Sequence, residues 1–264
     1  MPATTIPGMT IPPMTIPPMT IRAGACQTTW RGLPLASLDQ VTGPGTCLIL
    51  APHPDDESLG CGGLIAACCA ALRPPLVAIL TDGAASHPGS RQFPPERLAR
   101  VRAAEVRCAT GRLGLPPARL FFCGCPDSRA PAAGAAFDDV VTRLSHLAAA
   151  DRSISTILST WRHDPHCDHA AAATIADAVA ARAGLRHLAY PVWGWTLPAD
   201  TVLPGGAPSG WRLDITPFRS RKRQAIRAHV SQYGDLITDD PTGFRLPADL
   251  LSVFDSCFET FLTP

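Results

Sequence analysis

From Thr46 to Val192 the chain alternates short, unbroken apolar runs with longer stretches of helical character, and this alternation limits the fold more than any other feature. Thr46–Pro52 (TCLILAP), Leu76–Thr81 (LVAILT), Leu120–Cys123 (LFFC), Ile154–Ser159 (ISTILS) and the Pro-broken His187–Val192 (HLAYPV) read as strands. The first, apolar at consecutive positions, fits a strand buried on both faces. Between them Ser58–Leu72, Pro94–Leu113, Phe137–Ala150 and Asp168–Arg182 read as helices. Strand–helix repetition of this kind predicts an α/β fold, a parallel sheet with helices on both faces, which binds its ligand beyond the carboxyl ends of the strands. Further on, Gly194–Gly210 reads as a Pro- and Gly-rich loop, Trp211–Ile215 as another strand and Arg219–Ser231 as a helix with a basic start.

The N-terminal segment is foreign to this pattern. All four Met (Met1, Met9, Met14, Met19) fall in the first 19 residues, where Met9, Met14 and Met19 each begin a unit of a five-residue repeat, MTIPP, and none occurs afterwards. Pro every few residues forbids a helix and removes sheet donors, so polyproline II or disorder is expected. We divide the chain into a low-complexity segment, 1–22, and a single domain, 23–264. The repeat reads as a tandem duplication near the start codon rather than a docking tail. It lacks the basic start and apolar run of a secretory signal, and no later stretch is long and apolar enough for a membrane span.

Charge and cysteines exclude further classes. With 23 Lys+Arg against 22 Asp+Glu, the net charge of +1 does not suit a nucleic-acid binder. The ten Cys are scattered, with no CxxC pair, which excludes a zinc ribbon and points to free thiols in a reducing, cytoplasmic setting. Nothing in the sequence sets an oligomeric state.

Two polar clusters follow strands of the same expected sheet. The first strand runs into His53-Pro54-Asp55-Asp56-Glu57; the fourth runs into a segment holding His163, His166 and His169 with Asp164 and Asp168. Parallel strands bring both to one sheet edge. Imidazole and carboxylate together suit a divalent transition ion, and two His plus one carboxylate leave positions open for catalysis. Either cluster alone could be a polar loop; their convergence argues against it. A dinucleotide site fails on chemistry. Gly60, Gly62 and Gly63 follow the strand, but the third glycine position of the fingerprint is Ile65, and carboxylates occupy the turn that would cradle a pyrophosphate. The glycines instead suit close packing of a helix on the sheet.

APHPDDE at Ala51–Glu57, TDG at Thr81–Gly83 and HxDH at His166–His169 together resemble the PIG-L (LmbE-like) deacetylase family. The resemblance runs from about Thr46 to about Arg245 and includes the stretch Lys222–Ile226 and His229–Gln232. It implies a Rossmann-like fold and a zinc-dependent hydrolase that removes acetyl from an N-acetylglucosamine-type amino sugar. The implied metal ligands are His53, Asp56 and His169, holding Zn2+ or another divalent ion such as Fe2+. Asp55 is the implied general base, and His166, partnered by Asp168 and protonated, stabilises the oxyanion. Cys167 stands where the family often has Pro. An amidase acting on a sugar–thiol conjugate and a non-haem Fe(II) enzyme are the alternatives.

Asp82, Arg91 and Asp127, each after a strand, are read as candidate substrate contacts. The run Arg219, Arg221, Lys222, Arg223 reads as a solvated face that would favour an anionic substrate only at the cleft mouth. His229 is a candidate for the surroundings of the metal. His163 reads as surface or capping, and His87, His146 and His187 as structural. Trp193, Trp195 and Trp211 read as core, with stacking on a sugar the alternative.

Overall fold

The computed structural model describes residues 19–264. In chain order the elements are β1 (Thr20–Arg22), α1 (Ala23–Gly32), β2 (Leu35–Ala36), α2 (Leu38–Thr42), β3 (Thr46–Ala51), α3 (Asp56–Ala70), β4 (Leu76–Thr81), α4 (Pro95–Leu113), β5 (Leu120–Cys125), α5 (Gly134–Ala150), β6 (Ile154–Thr160) and α6 (Cys167–Ala183). They continue with β7 (Arg186–Tyr190), β8 (Val202–Pro204), β9 (Gly210–Asp214), α7 (Arg219–Ile226), α8 (Val230–Tyr233), α9 (Ala248–Phe254) and β10 (Phe258–Leu262). An eight-stranded sheet has the order β2-β9-β10-β7-β6-β3-β4-β5, and β7, β6, β3, β4 and β5 are mutually parallel. The chain leaves β3 toward β4 and β5 on one side and returns to β6 and β7 on the other. The order reverses between β3 and β6, which opens a crevice at their carboxyl ends.

Alternate residues of the central strands feed two cores. Cys47, Ile49, Val77 and Ile79 face α3 and α4 (Leu64, Ile65, Val106, Leu113). Leu48, Leu50, Ala78 and Leu80 face α5 and α6 (Val140, Leu144, Ile175, Val179). Burial on both faces explains why β3 and β4 are apolar without alternation. The glycines of α3 work as expected. A Cβ on Gly60 would lie 2.2 Å from the Tyr190 ring, and one on Gly63 would lie 2.5 Å from Ile215.

Several expectations are corrected. Residues 1–18 lie outside the described residues, but the final piece of the repeat, Thr20–Arg22, is a strand paired antiparallel with β8, inside what read as a featureless loop. Regular structure is therefore already present before Ala23. The helix expected over Arg219–Ser231 is two helices, because the chain turns at Arg227–His229. The strand expected to reach Val192 ends at Tyr190, before Pro191. The sheet is extended by β10, which runs antiparallel to both β7 and β9.

The basic run is a solvated face except at Lys222. Lys222 is buried, with Nζ donating to Glu259 of β10 at 2.7 Å, while Arg219 and Arg223 pair with Asp255. Glu259 additionally accepts from the backbone amides of Gly63 and Leu64, so β10 grips α3 through its side chain. The ten cysteines are unpaired, and among the described residues no helix is long and apolar enough to cross a membrane.

Because the Tyr190 ring fills the space at Gly60, Gly60→Ala is expected to cost about 1–3 kcal/mol through overpacking, read as a lowered midpoint in urea unfolding.

Candidate active site

β3 turns into α3 through Pro52, His53, Pro54 and Asp55. Thr81, closing β4, fastens this turn: its amide and its hydroxyl both donate to the Pro52 carbonyl at 2.9 Å. The amide of His53 donates to Asp56 Oδ2 at 3.0 Å, and His53 Nδ1 lies 3.2 Å from the same oxygen. The second cluster arrives across the crevice. α6 starts at Cys167, and His169 in its first turn places Nε2 3.3 Å from Asp56 Oδ2.

The opposite nitrogen of each imidazole is held by a buried carboxylate. His53 Nε2 is 3.0 Å from Asp168 Oδ2, and His169 Nδ1 is 2.9 Å from Asp164 Oδ2. A carboxylate only accepts, so Asp168 and Asp164 hold protons on His53 Nε2 and His169 Nδ1, and His53 Nδ1 and His169 Nε2 are the nitrogens that would turn lone pairs to an ion held at Asp56. Both face one Asp56 oxygen, and the fully buried His169 Nε2 has no hydrogen-bond partner. Burial opposes charge on Asp56, but the facing imidazoles hold its carboxyl well below the usual range. Two imidazole nitrogens and a carboxylate oxygen so disposed suit a divalent transition ion. The nitrogens of His53, His166 and His169 also converge within 4.8 Å. Ligand atoms of His53, Asp127, His166 and Asp168 form a second such group, and His166 Nδ1 accepts the Asp168 amide at 3.2 Å.

That bond corrects the reading of His166 as an imidazolium. Its Nδ1 accepts an amide hydrogen, which leaves the proton to Nε2, and burial with the neighbouring His53 and His169 lowers its pKa. Nor is Asp168 chiefly its partner: beyond orienting His53, Asp168 accepts from the amides of Ser128 and Ala130 at 2.7 and 2.9 Å.

Asp55 is buried, and Arg102 of α4 donates to its Oδ2 at 2.9 Å. The same guanidinium holds the carbonyls of Pro54 and Gly83. Gly83, at φ +66°, makes this possible, since a Cβ there would sit 2.4 Å from Arg102 Nη1. Burial raises the Asp55 carboxyl to about 6 against the pull of Arg102. Behind it, Glu57 accepts the Asp55 amide and meets His229 Nε2 at 3.1 Å, which places His229 next to the turn that carries Asp55.

The three expected substrate contacts diverge. Asp127 faces the site, with Oδ1 3.4 Å from His53 Nε2. Burial opposes its ionisation, but the His53 contact and the Ala85 amide hold it at about 2. Asp82 is not in the cavity wall; it accepts from the amides of Ala84 and Asp127 and ties two loops together. Arg91 is exposed and its amide donates to Asp239, away from the cavity. His163 packs edge-on against Trp161, and His187 is held by Asp177 and Ser159. A cavity of about 410 Å³ lies over these groups. His53, Asp55, Asp56, Arg102, Asp127 and His166 line it together with Leu59, Trp193, Phe244 and Leu246.

Sequence reasoning passed over Arg102 and Asp164. Arg102 is one of several arginines in α4, and only folding singles it out. Asp164 had a usable signal, since it sits beside the His cluster.

The family model PIG-L, described as GlcNAc-PI de-N-acetylase, matches residues 48–180. The chain belongs to the PIG-L family. Membership places it among hydrolytic deacetylases. No curated relative matches it. Among solved structures it is similar to N,N'-diacetylchitobiose deacetylase from Pyrococcus horikoshii, at 19% identity over 72% of this chain and 71% of that one, TM-score 0.55. It is also similar to the zinc-inhibited form of teicoplanin deacetylase (17%, 70% and 84%, 0.56). A third is 4-carboxy-2-hydroxymuconate hydratase from Pseudomonas putida KT2440 (21%, 69% and 77%, 0.53). At these identities the likeness establishes the PIG-L fold alone.

Replacing Arg102 with Met strands the buried Asp55 carboxylate. The variant is expected to lose about 3 kcal/mol in urea unfolding at pH 8. The loss should shrink below pH 6, where the carboxyl is protonated and needs no cation.

Proposed function

We propose that this chain is a metal-dependent deacetylase that hydrolyses the acetamide of an N-acetylglucosamine-type sugar or its conjugate. The observation that carries the reading is the pair of imidazole nitrogens converging on one Asp56 oxygen, each ring held from behind by a buried carboxylate. In this reading His53 Nδ1, Asp56 and His169 Nε2 hold the ion, and Asp168 and Asp164 set the ligand tautomers. The donor set fits Zn2+, with Fe2+ the other candidate; the zinc-inhibited neighbour supports zinc binding. When bound, the ion supplies Lewis acidity, polarising a carbonyl and acidifying a water.

Asp55 is the general base. It lines the cavity, and a carboxyl raised to about 6 is both ionised near neutral pH and basic enough to accept a proton from the attacking water. Arg102 keeps it charged in a buried setting. Protonated Asp55 then returns the proton to the leaving amine. His166 donates its Nε2 hydrogen to the developing oxyanion as a neutral imidazole. The chitobiose and teicoplanin deacetylases support an amino-sugar substrate.

Release of free amine and acetate from a panel of N-acetyl sugars, after chelation and reloading with zinc or Fe2+, tests the reading. Asp55→Asn is expected to keep its metal and lose about 10²–10⁴ in rate. His169→Ala is expected to lose the metal itself, read by elemental analysis after dialysis. Wild-type turnover by Asp55→Asn would remove Asp55 as the base, and water addition without acetate release would point to hydratase chemistry instead.

A further inference from the structure

Among the described residues lining the cavity the one permanent cation is Arg102, and both its terminal nitrogens are engaged, while its Nε is buried without a partner. Its two terminal nitrogens serve the carbonyls of Gly83 and Pro54 and the carboxylate of Asp55. The cavity also holds the carboxylates of Asp56 and Asp127. The basic run that could have received an anionic group lies elsewhere, paired with Glu259 and Asp255. Away from the ion site, a phosphate or carboxylate on the substrate would meet these carboxylates with no unpaired side-chain cation exposed among the described lining residues.

The rest of the wall is built for a different group. Trp193 and Phe244 stand edge to face, 5.6 Å apart, and both are part-buried. Their backbones are fixed. Asp164 accepts the amides on either side of Trp193, from Val192 and Gly194, and the Phe244 amide donates to the Ser86 carbonyl at 2.7 Å. Among the described lining residues one buried acceptor lacks a partner, Oε1 of Gln232. Its orientation is set by its neighbours. Ser231 gives its hydroxyl hydrogen to Glu105 at 2.7 Å, so Ser231 Oγ must accept from Gln232 Nε2, which leaves Oε1 as the free acceptor.

We infer that the substrate is an uncharged N-acetyl glycoside whose aglycone is apolar, packed on Trp193 and Phe244, with a hydroxyl donated to Gln232 Oε1. This rests on the deacetylase reading and adds to it the class of the group attached to the sugar.

The test compares free-amine release from methyl and phenyl glycosides of N-acetylglucosamine and from N-acetylglucosamine 1-phosphate, using the metal-loaded protein. The phenyl glycoside is expected to exceed the methyl glycoside in kcat/KM by about tenfold or more, the scale of burying one ring face, and the phosphate to fall below both. Trp193→Ala or Phe244→Ala should bring the phenyl-to-methyl ratio toward one. Gln232→Met, of matched size, should raise KM for both neutral glycosides. Equal rates for phenyl and methyl, or a preference for the phosphate, would overturn the inference. Calorimetric binding of the same three compounds separates the two failures. Binding in the order phenyl, methyl, phosphate without amine release would sink the deacetylase reading while upholding the cavity's preference. Binding without that order would sink the preference itself.

Discussion

A cluster of ionisable side chains this deeply buried persists only if every charge has a fixed partner, and that requirement organises the carboxyl edge of the sheet. Asp164 and Asp168 are buried, and each accepts from backbone amides and meets one imidazole nitrogen. Their bonds decide which face of His53 and His169 stays open. Arg102 does the same for Asp55 from α4. Three elements distant in sequence therefore converge because unpaired charges in a low dielectric are too costly to leave apart. The sheet supplies the place, since the reversal of strand order between β3 and β6 brings the two loops face to face.

The parallel core was legible because its physics is local. β3 and β4 are buried on both faces, which writes an unbroken apolar run, and the helices between strands carry their own periodicity. The metal-facing residues were legible because imidazoles and carboxylates crowd together directly after two strands. What escaped depends on distant pairing. β1 and β8 are three residues each and exist through one another. β10 is set by antiparallel contacts that leave little pattern in FETFL. Lys222 reads as one of a basic run until Glu259 is placed beside it. Asp82 and Arg91 misled because a carboxylate or guanidinium after a strand serves a turn as readily as a ligand.

One side chain links two functions that might have been separate. Asp164 orients His169 with one oxygen and holds the flanks of Trp193 with both, so the aromatic wall and the ligand nitrogen share a single anchor. A change at Asp164 is transmitted to both, and the geometry of the reacting end of the cavity is not independent of the geometry of its rim.

The grip of Glu259 on α3 has a consequence for how the molecule is made. The helix that begins with Asp56 emerges early in synthesis, yet two of its mid-helix amides are held by Glu259, on a strand made some two hundred residues later, which also pairs with the neighbouring Lys222. During translation the parallel sheet can assemble around β3, β4, β5 and β6 while α3 remains unlatched along its middle. The site is thereby tied to completion of the fold: a nascent chain carries every proposed ligand and the base long before it can hold them rigidly.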